Sequence, residues 1–212
     1  MINFAGEFET HITVRAGDPA RLDSLGVWAE ARRLKFHLIV LDRGLVPSQP
    51  MVTRRGRSDL CGELAEAADL TTRLAADGYV VSRVKIEAAP ENEGVPVTEA
   101  DAARQPGRYF EHHVKLLLDP DDDLGEVTSL VVRHTARLSR NARRVRADGK
   151  AERFVTQRCH AVGRTTACRR LDALLADLAA DGYAILSTEQ EYVIHDTAPG
   201  VDAGWLDHGG AT

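Results

Sequence analysis

Two histidines, each preceded by a carboxylate two positions earlier, are the residues of this chain that point most directly to chemistry. The pattern Phe-Glu-x-His occurs twice, with Glu9 and His11 in the first copy and Glu111 and His113 in the second. Histidine exchanges a proton near neutral pH, and a nearby carboxylate can orient the ring or stabilise its charged form. The pattern therefore predicts a general acid/base pair, with Glu9 and Glu111 orienting the two rings.

Both copies alternate between apolar and polar residues, which is typical of a β-strand with one face on a hydrophobic core. We expect a helix-covered apolar face that holds Phe8, Ile12, Val14, Val80, Val84, Phe110, Val114 and Leu116. The opposite face then holds Glu9, His11, Thr13, Arg83, Lys85, Glu87, Glu111, His113 and Lys115. Because burying an unpaired charge is costly, this polar face should line a wet cleft or lie exposed to solvent.

Cationic and hydroxyl side chains close to the histidines predict an anionic ligand. The residues expected to bind it are Thr13, Arg83, Lys85, Lys115, Arg158 and Arg164. Arg164 is included because Gly163-Arg164-Thr165-Thr166 opens a predicted helix, whose free N–H groups attract anions. The cofactor is left open, and if the chemistry requires a divalent metal, Glu189 and Glu191 are the expected ligands.

The segment His11-Ile12-Thr13 resembles the His-x-Thr motif of the 2H phosphoesterases. Enzymes of that family are bilobal, and each lobe brings one such motif into a central cleft. The resemblance implies that His11 and His113 act on a 2′,3′-cyclic phosphate or a phosphodiester. The second copy departs from the motif, since it reads His113-Val114-Lys115.

The segment Glu111-His112-His113-Val114-Lys115 is similar to the Glu-x-Glu-x-Lys strand that opens the triphosphate-tunnel (CYTH) proteins. His113 stands where that pattern has its second glutamate. This resemblance implies a barrel lined with Arg, Lys and Glu. Each resemblance covers only a few residues, so the sequence is assigned to neither family.

Composition excludes several classes of protein. The chain has 212 residues and a net charge of −5, which disfavours general nucleic-acid binding. Its apolar runs are too short to span a bilayer, and the first residues do not resemble a signal peptide. Three widely spaced cysteines make a disulfide framework unexpected, so we predict a cytoplasmic protein.

A repeat organises these residues into two halves. The segment Leu74-Ala75-Ala76-Asp77-Gly78-Tyr79 recurs 104 residues later, and the Phe-Glu-x-His copies are 102 residues apart. In both copies the glycine is expected to end a helix in the left-handed conformation. We therefore predict an α+β fold, built by internal duplication from two ferredoxin-like halves that pack with pseudo-twofold symmetry and enclose a polar cleft between their sheets.

The predicted domains are a first half over 1–88, a linker over 89–107, a second half over 108–195 and a tail over 196–212 that lies on the surface. In the first half we expect 42–57 to be mainly an irregular loop. In the second half we expect a helix from about Gly125 to Leu138. A basic run follows, which could contact phosphates or an acidic partner but is more simply a solvated face: Arg137, Arg140, Arg143, Arg144 and Arg146.

Two functions remain open at this stage. The first is binding of a phosphorylated small molecule or nucleotide in the cleft, with hydrolysis if the histidines act as an acid/base pair. The second is a non-catalytic, two-lobed module that docks a protein partner or forms an oligomer.

Overall fold

A computed structural model describes residues 2–143 and 146–206 of the chain. Its strands are β1 (Ala5–Arg15), β2 (Lys35–Leu41), β3 (Ser48–Asp59), β4 (Val80–Ala88), β5 (Tyr109–Leu118), β6 (Ala136–Asn141), β7 (Ala151–His160) and β8 (Ala184–Asp196). Its helices are α1 (Pro19–Glu30), α2 (Leu60–Ala76), α3 (Glu99–Ala102), α4 (Leu124–Arg133) and α5 (Arg164–Ala180). The predicted α+β class is confirmed.

The eight strands form one closed barrel in the order β1-β3-β2-β6-β7-β5-β8-β4, and all neighbouring strands are antiparallel. Each half contributes four adjacent strands, β2-β3-β1-β4 and β6-β7-β5-β8. The halves join where β2 pairs with β6 and where β4 pairs with β8. The cleft that we expected between two sheets is therefore the interior of a single barrel, because the outer strands of the halves pair with each other.

The helices cover the outside of the barrel, where the apolar side chains of the strands form the core. In the first half Ile12 and Val14 pack with residues of α1 and α2, and in the second half Val114 and Leu116 pack with residues of α4 and α5. Phe8 and Phe110 lie in a third cluster that joins the halves. Val80 is 57% exposed and was wrongly predicted to be buried. A register shift between Thr13 and Val14 changes the pairing at that end of β4.

The repeated segment ends two helices as predicted. Gly78 and Gly182 follow α2 and α5 with φ values of 81° and 83°, the left-handed region that glycine adopts without strain. The next residue in each copy, Tyr79 or Tyr183, donates its backbone N–H to the carbonyl five residues earlier, at 2.9 and 3.0 Å. These bonds complete the helix ends and start β4 and β8.

Two predicted elements were wrong. Residues 48–57, expected within a loop, belong to β3. Pro50 is tolerated in this strand because the β1–β3 register ends at Met51, so Pro50 pairs with β2 alone. The helix expected to reach Leu138 ends at Arg133, and β6 begins at Ala136. Thr135 makes this turn with a φ of 54°, without the glycine that marks most such ends.

The tail does not lie on the surface as expected, although residues 207–212 are outside the described part of the chain. In residues 197–206, called here the tail segment, Asp202, Trp205 and Leu206 are buried. Gly204 accepts a hydrogen bond from Arg43, and Ala203 accepts one from the backbone of Leu45. The predicted linker contains the short helix α3. Among the described residues, no helix is both long and apolar enough to cross a membrane.

Candidate functional site

A cavity of about 160 Å³, lined by both charged and apolar side chains, lies inside the barrel and is called here the inner cavity. Strands of both halves contribute its charged and hydroxyl side chains, because the residues on the polar face of each strand point into the barrel. Its polar lining includes Glu9, His11, Thr13, Gln49, Arg83, Lys85, Glu111, His113, Thr156, Arg158, Glu189, Glu191 and Asp202. Most of the predicted site residues are therefore brought together.

Both nitrogens of His11 contact polar groups on neighbouring strands. Nδ1 lies 2.8 Å from the hydroxyl of Thr53 on β3. Nε2 lies 2.8 Å from a carboxylate oxygen of Glu87 on β4 and 3.8 Å from Glu9. Glu87, rather than the predicted Glu9, is the closer carboxylate to His11.

His113 has a similar environment in the second half. Its Nδ1 lies 3.2 Å from the hydroxyl of Thr156 on β7. Its Nε2 lies 3.2 Å from Glu111 and 3.7 Å from Glu191 on β8. In this half the predicted carboxylate, Glu111, is the closer one.

Strand register relates the two histidine sites. On β1 and β3, Glu9 pairs with Arg55 and His11 pairs with Thr53. On β5 and β7, Glu111 pairs with Arg158 and His113 pairs with Thr156. We call these sets the first quartet (Glu9, His11, Thr53 and Arg55) and the second quartet (Glu111, His113, Thr156 and Arg158). Both quartets have the same residue types in the same arrangement.

Three buried cations are each held by two carboxylates. Arg83 donates to Asp196 and to Asp202, and Arg158 donates to Glu111 and to Asp202. Lys85 Nζ lies 2.7 Å from Glu111 and 2.8 Å from Glu87. The partners are shared, so the charges form one continuous chain through the barrel.

These cations keep two buried carboxyl groups ionised. Burial alone would raise the pKa of Glu111, but the charges of Arg158 and Lys85 hold it well below the usual value. Burial likewise opposes ionisation of Glu87, and Lys85 and His11 together lower its pKa to about 2. Conversely, the two carboxylates raise the pKa of Lys85 against the effect of burial.

Glu191 has a different environment. Burial is the main cause that raises its pKa well above the usual value, and the negative charges of Glu87 and Glu9 add to the effect. Lys85 opposes the rise without cancelling it. Glu191 is therefore a buried carboxyl group close to other carboxylates, and its ion pair among the described residues is with the His113 ring at 3.7 Å.

The tail segment closes part of the inner cavity. Asp202 accepts hydrogen bonds from Gln49 and Arg83, both at 2.9 Å, and from Arg158. Trp205 lines the same cavity and donates its ring N–H to the carbonyl of Leu138 at 3.0 Å. A second cavity of about 460 Å³, the outer cavity, shares Glu9, Glu189 and Glu191 with the inner one.

Three predicted site residues lie elsewhere or contact other groups. Lys115 pairs with Glu152 at 2.7 Å and does not line the inner cavity. Arg164 begins α5, as predicted, but donates to the carbonyl of Pro90, away from the cavity. Glu189 reaches the cavity rim, where it is half exposed and lies 3.2 Å from Arg55.

The predicted basic run is mostly an exposed surface. Arg143 pairs with Asp23 and Arg146 pairs with Asp148. Arg144 lies outside the described residues. None of its described arginines lines the inner cavity.

Several residues of the site were missed at the sequence level: Thr53, Arg55, Thr156, Asp196, Asp202 and Trp205. One sequence signal was available for three of them. Val52-Thr53-Arg54-Arg55 and Val155-Thr156-Gln157-Arg158 share the pattern Val-Thr-x-Arg, and they are 103 residues apart. This spacing lies between those of the two repeats described above.

Comparisons with known proteins give little further information. No known protein family and no curated protein matches the chain. The solved structures that it resembles include chlorite dismutase from Candidatus Nitrospira defluvii, both in complex with imidazole and as two arginine variants. Identities are 10–11%, coverage is 89–93% of this chain and 91–93% of the other, and TM-scores are 0.28–0.31. Similarity at this level carries no argument about function.

Proposed function

We propose that the barrel binds a phosphorylated small molecule or nucleotide, with the phosphoryl group in the inner cavity. The observation that supports this proposal is the position of Asp202. Its carboxylate is an anionic group held between Arg83 and Arg158 inside the barrel. A phosphoryl oxygen has the same charge and accepts the same hydrogen bonds, and guanidinium groups bind both anions well.

The size of the cavities is consistent with such a ligand. The inner cavity of about 160 Å³ has room for a phosphoryl group but not for a nucleotide. The adjoining outer cavity of about 460 Å³ could hold the remainder of the ligand. Because Arg83 and Arg158 are already paired, ligand binding would require Asp202 to move away or to share these arginines.

Hydrolysis of the ligand would depend on the two histidines. Thr53 and Thr156 hold the rings through Nδ1, so Nε2 is the nitrogen that faces the interior. Exchange of the carboxylate contact at Nε2 for a contact with substrate would allow one histidine to accept a proton and the other to donate one. Thr53 and Thr156, rather than the predicted Glu9 and Glu111, would orient the rings in this scheme, because both carboxylates approach Nε2.

Binding can be tested by thermal unfolding of the protein with inorganic phosphate, tripolyphosphate, ATP or 2′,3′-cyclic AMP. A ligand at a hundred times its Kd adds about 2.7 kcal/mol to the free energy of unfolding, which raises Tm visibly. We expect Arg83→Gln to lose the shift and Arg73→Gln to keep it, because Arg73 pairs with Asp69 on the surface of α2.

A wild-type protein that none of these probes stabilises would contradict the phosphate proposal. In that case the docking module becomes the better hypothesis, and it predicts a change of oligomeric state in the His11→Ala/His113→Ala variant. Turnover of a bound ligand that this double variant abolishes, with an unchanged Tm, would support the catalytic role.

We also infer that the two halves arose by internal duplication and are related by pseudo-twofold symmetry. The equivalent quartets, the repeated helix ends and the common strand order support this inference. It accounts for the presence of two histidine sites in one barrel.

A further inference from the structure

We propose that His11, Glu87 and Glu191 form a binding site for a divalent transition-metal ion inside the barrel. This inference can be tested separately from the phosphate proposal, because it requires no anionic ligand and does not involve Arg83, Arg158 or Asp202, although His11 takes part in both. It also differs from the metal ligands expected from the sequence, since Glu189 is not a member of the site.

The three donor atoms already converge. Nε2 of His11 and one carboxylate oxygen from each of Glu87 and Glu191 all lie within 4.8 Å of one another. Metal–ligand distances of about 2.0–2.2 Å require donors on opposite sides of an ion to be roughly 4.2 Å apart. A small closure of the side chains would therefore complete the site without a change of the backbone.

The two carboxyl groups of this site differ in how closely cationic groups approach them. Glu87 is fully buried, and neither of its oxygens accepts a hydrogen bond of normal geometry within the described part of the chain, although His11 and Lys85 approach to 2.8 Å. Glu191 lies near Glu87, and its one ion pair in the described part of the chain is with the His113 ring, 3.7 Å away. A divalent cation between them would balance this excess of negative charge.

Lys85 distinguishes this site from a second group of donors nearby. Glu87, Glu111 and His113 also converge within 4.8 Å. However, the Lys85 ammonium group lies within 2.8 Å of both carboxylates in that group and supplies the positive charge there. In the His11 group, Lys85 forms an ion pair with Glu87 at 2.8 Å but with no oxygen of Glu191, whose ion pair in the described part of the chain is with the His113 ring at 3.7 Å.

The hydroxyl of Thr53 prepares His11 for metal binding. Its oxygen lies 2.8 Å from Nδ1 and can accept the Nδ1–H hydrogen bond. In this tautomer the lone pair of Nε2 can coordinate a metal ion, which would take the place of the proton that otherwise links Nε2 and Glu87 at 2.8 Å. Metal-bound histidines are commonly oriented by such a second hydrogen bond.

The donor set favours some metals over others. One imidazole and two carboxylates suit Mn²⁺, Fe²⁺, Co²⁺ or Zn²⁺, whereas Mg²⁺ and Ca²⁺ prefer oxygen ligands alone. Three protein ligands also leave coordination positions for water or another ligand. We therefore expect Zn²⁺ and Mn²⁺ to bind more tightly than Mg²⁺.

The test is a calorimetric titration of the full chain, freed of metal with a chelator, with ZnCl₂, MnCl₂ or MgCl₂ in a buffer without phosphate. We expect one ion per chain, with affinity at least 100-fold lower in His11→Ala and in Glu191→Gln. Thr53→Val should weaken binding by about 10-fold or more, as the loss of an orienting partner does in other metal sites.

Two matched controls define specificity. His134→Ala removes a histidine that pairs with Asp177 outside the barrel, and Glu66→Gln removes a half-exposed carboxylate of α2 that pairs with Arg54. Both variants should bind metal with unchanged affinity. Glu191→Gln keeps the shape of the side chain, and a circular dichroism spectrum will show whether it folds.

Absence of binding to the wild type, or wild-type affinity in folded Glu191→Gln, would overturn the proposal. The electron paramagnetic resonance spectrum of bound Mn²⁺ gives a second measure, because loss of a nitrogen ligand in His11→Ala should remove the nitrogen coupling. Because no phosphate compound is present, failure of the metal site and failure of phosphate binding are separate results.

Discussion

The two quartets have the same four residue types at equivalent positions, but they differ in how deeply they are buried. The side chain of Arg55 in the first quartet is 54% exposed, whereas that of Arg158 in the second is only 4% exposed. Glu9 is 12% exposed and Glu111 is 2% exposed. The same arginine–glutamate pair is therefore near the surface in one half and in the interior in the other.

The tail segment accounts for this difference. It follows β8 and places Asp202 on Arg158, with the ring of Trp205 5.9 Å from the guanidinium carbon of Arg158. No described residue of the tail segment covers the first quartet in this way, and Glu9 and Arg55 border the outer cavity. Of the two quartets, one is therefore covered and the other is open, and the strength of their ion pairs should differ accordingly.

The largest expected effect is that of Arg158→Gln. This change leaves Glu111 and Asp202 buried with fewer partners, and breaking a buried ion pair in this way costs about 4 kcal/mol. Urea denaturation measures the change in the free energy of unfolding. A loss below about 1 kcal/mol, the range of exposed pairs, would mean that burial by the tail segment does not strengthen the ion pairs of Arg158.

A smaller loss, about 2 kcal/mol at pH 7, is expected for Asp202→Asn, since an amide can still accept one of the hydrogen bonds. Burial would raise the pKa of Asp202, but Arg158 and Arg83 hold it below its usual value of 3.8. The folded state therefore gains stability from the ionised group above that value and loses it as pH falls further.

Denaturation at several pH values tests the direction of this pH dependence of stability. The difference in unfolding free energy between the wild type and Asp202→Asn should shrink below about pH 4 as the wild-type carboxylate becomes protonated. A difference that grows with acidification would contradict the ion pairs at Asp202.

The threonines allow a direct comparison of the two histidine sites. Thr53→Val and Thr156→Val each keep the shape of a buried side chain and remove one hydrogen-bonding group, at a cost of about 1 kcal/mol. We expect the larger loss for Thr53, because its oxygen lies 2.8 Å from the histidine nitrogen compared with 3.2 Å for Thr156. Equal losses would indicate that the two rings are held equally well.

The smallest effect is expected for Arg55→Gln, the counterpart of Arg158→Gln. Arg55 pairs with Glu9 and with the half-exposed Glu189, and exposed pairs of this kind contribute about 0.5 kcal/mol. Chemical denaturation of both arginine variants under one set of conditions gives the ratio of their losses in unfolding free energy. A loss for Arg55→Gln as large as that for Arg158→Gln would remove the distinction between the quartets.

The sequence predicted the parts of this site that combine a strong local pattern with a repeat. Alternation identified β1 and β5 and placed both histidines on their polar faces. The aligned helix ends at Gly78 and Gly182 located β4 and β8. These features depend on neighbouring residues, so one strand can be recognised without knowledge of the others.

The missed parts depend on contacts between distant segments. β3 contains Pro50 and several charged residues, and it forms a strand because β1 and β2 lie on either side of it. Asp202 is acidic and follows a glycine- and proline-containing stretch, which is typical of an exposed tail. Only closure of the barrel brings Arg83 and Arg158 close enough to bury it.

Closure of the barrel also has a consequence for how the chain can aggregate. A free sheet edge exposes unpaired N–H and C=O groups that readily pair with another molecule, and a closed barrel hides them. The β2–β6 seam is held by three registered residue pairs and the β4–β8 seam by four. Opening of the shorter seam would expose two complementary edges at once, so exchange of halves between chains is the aggregation route built into this architecture.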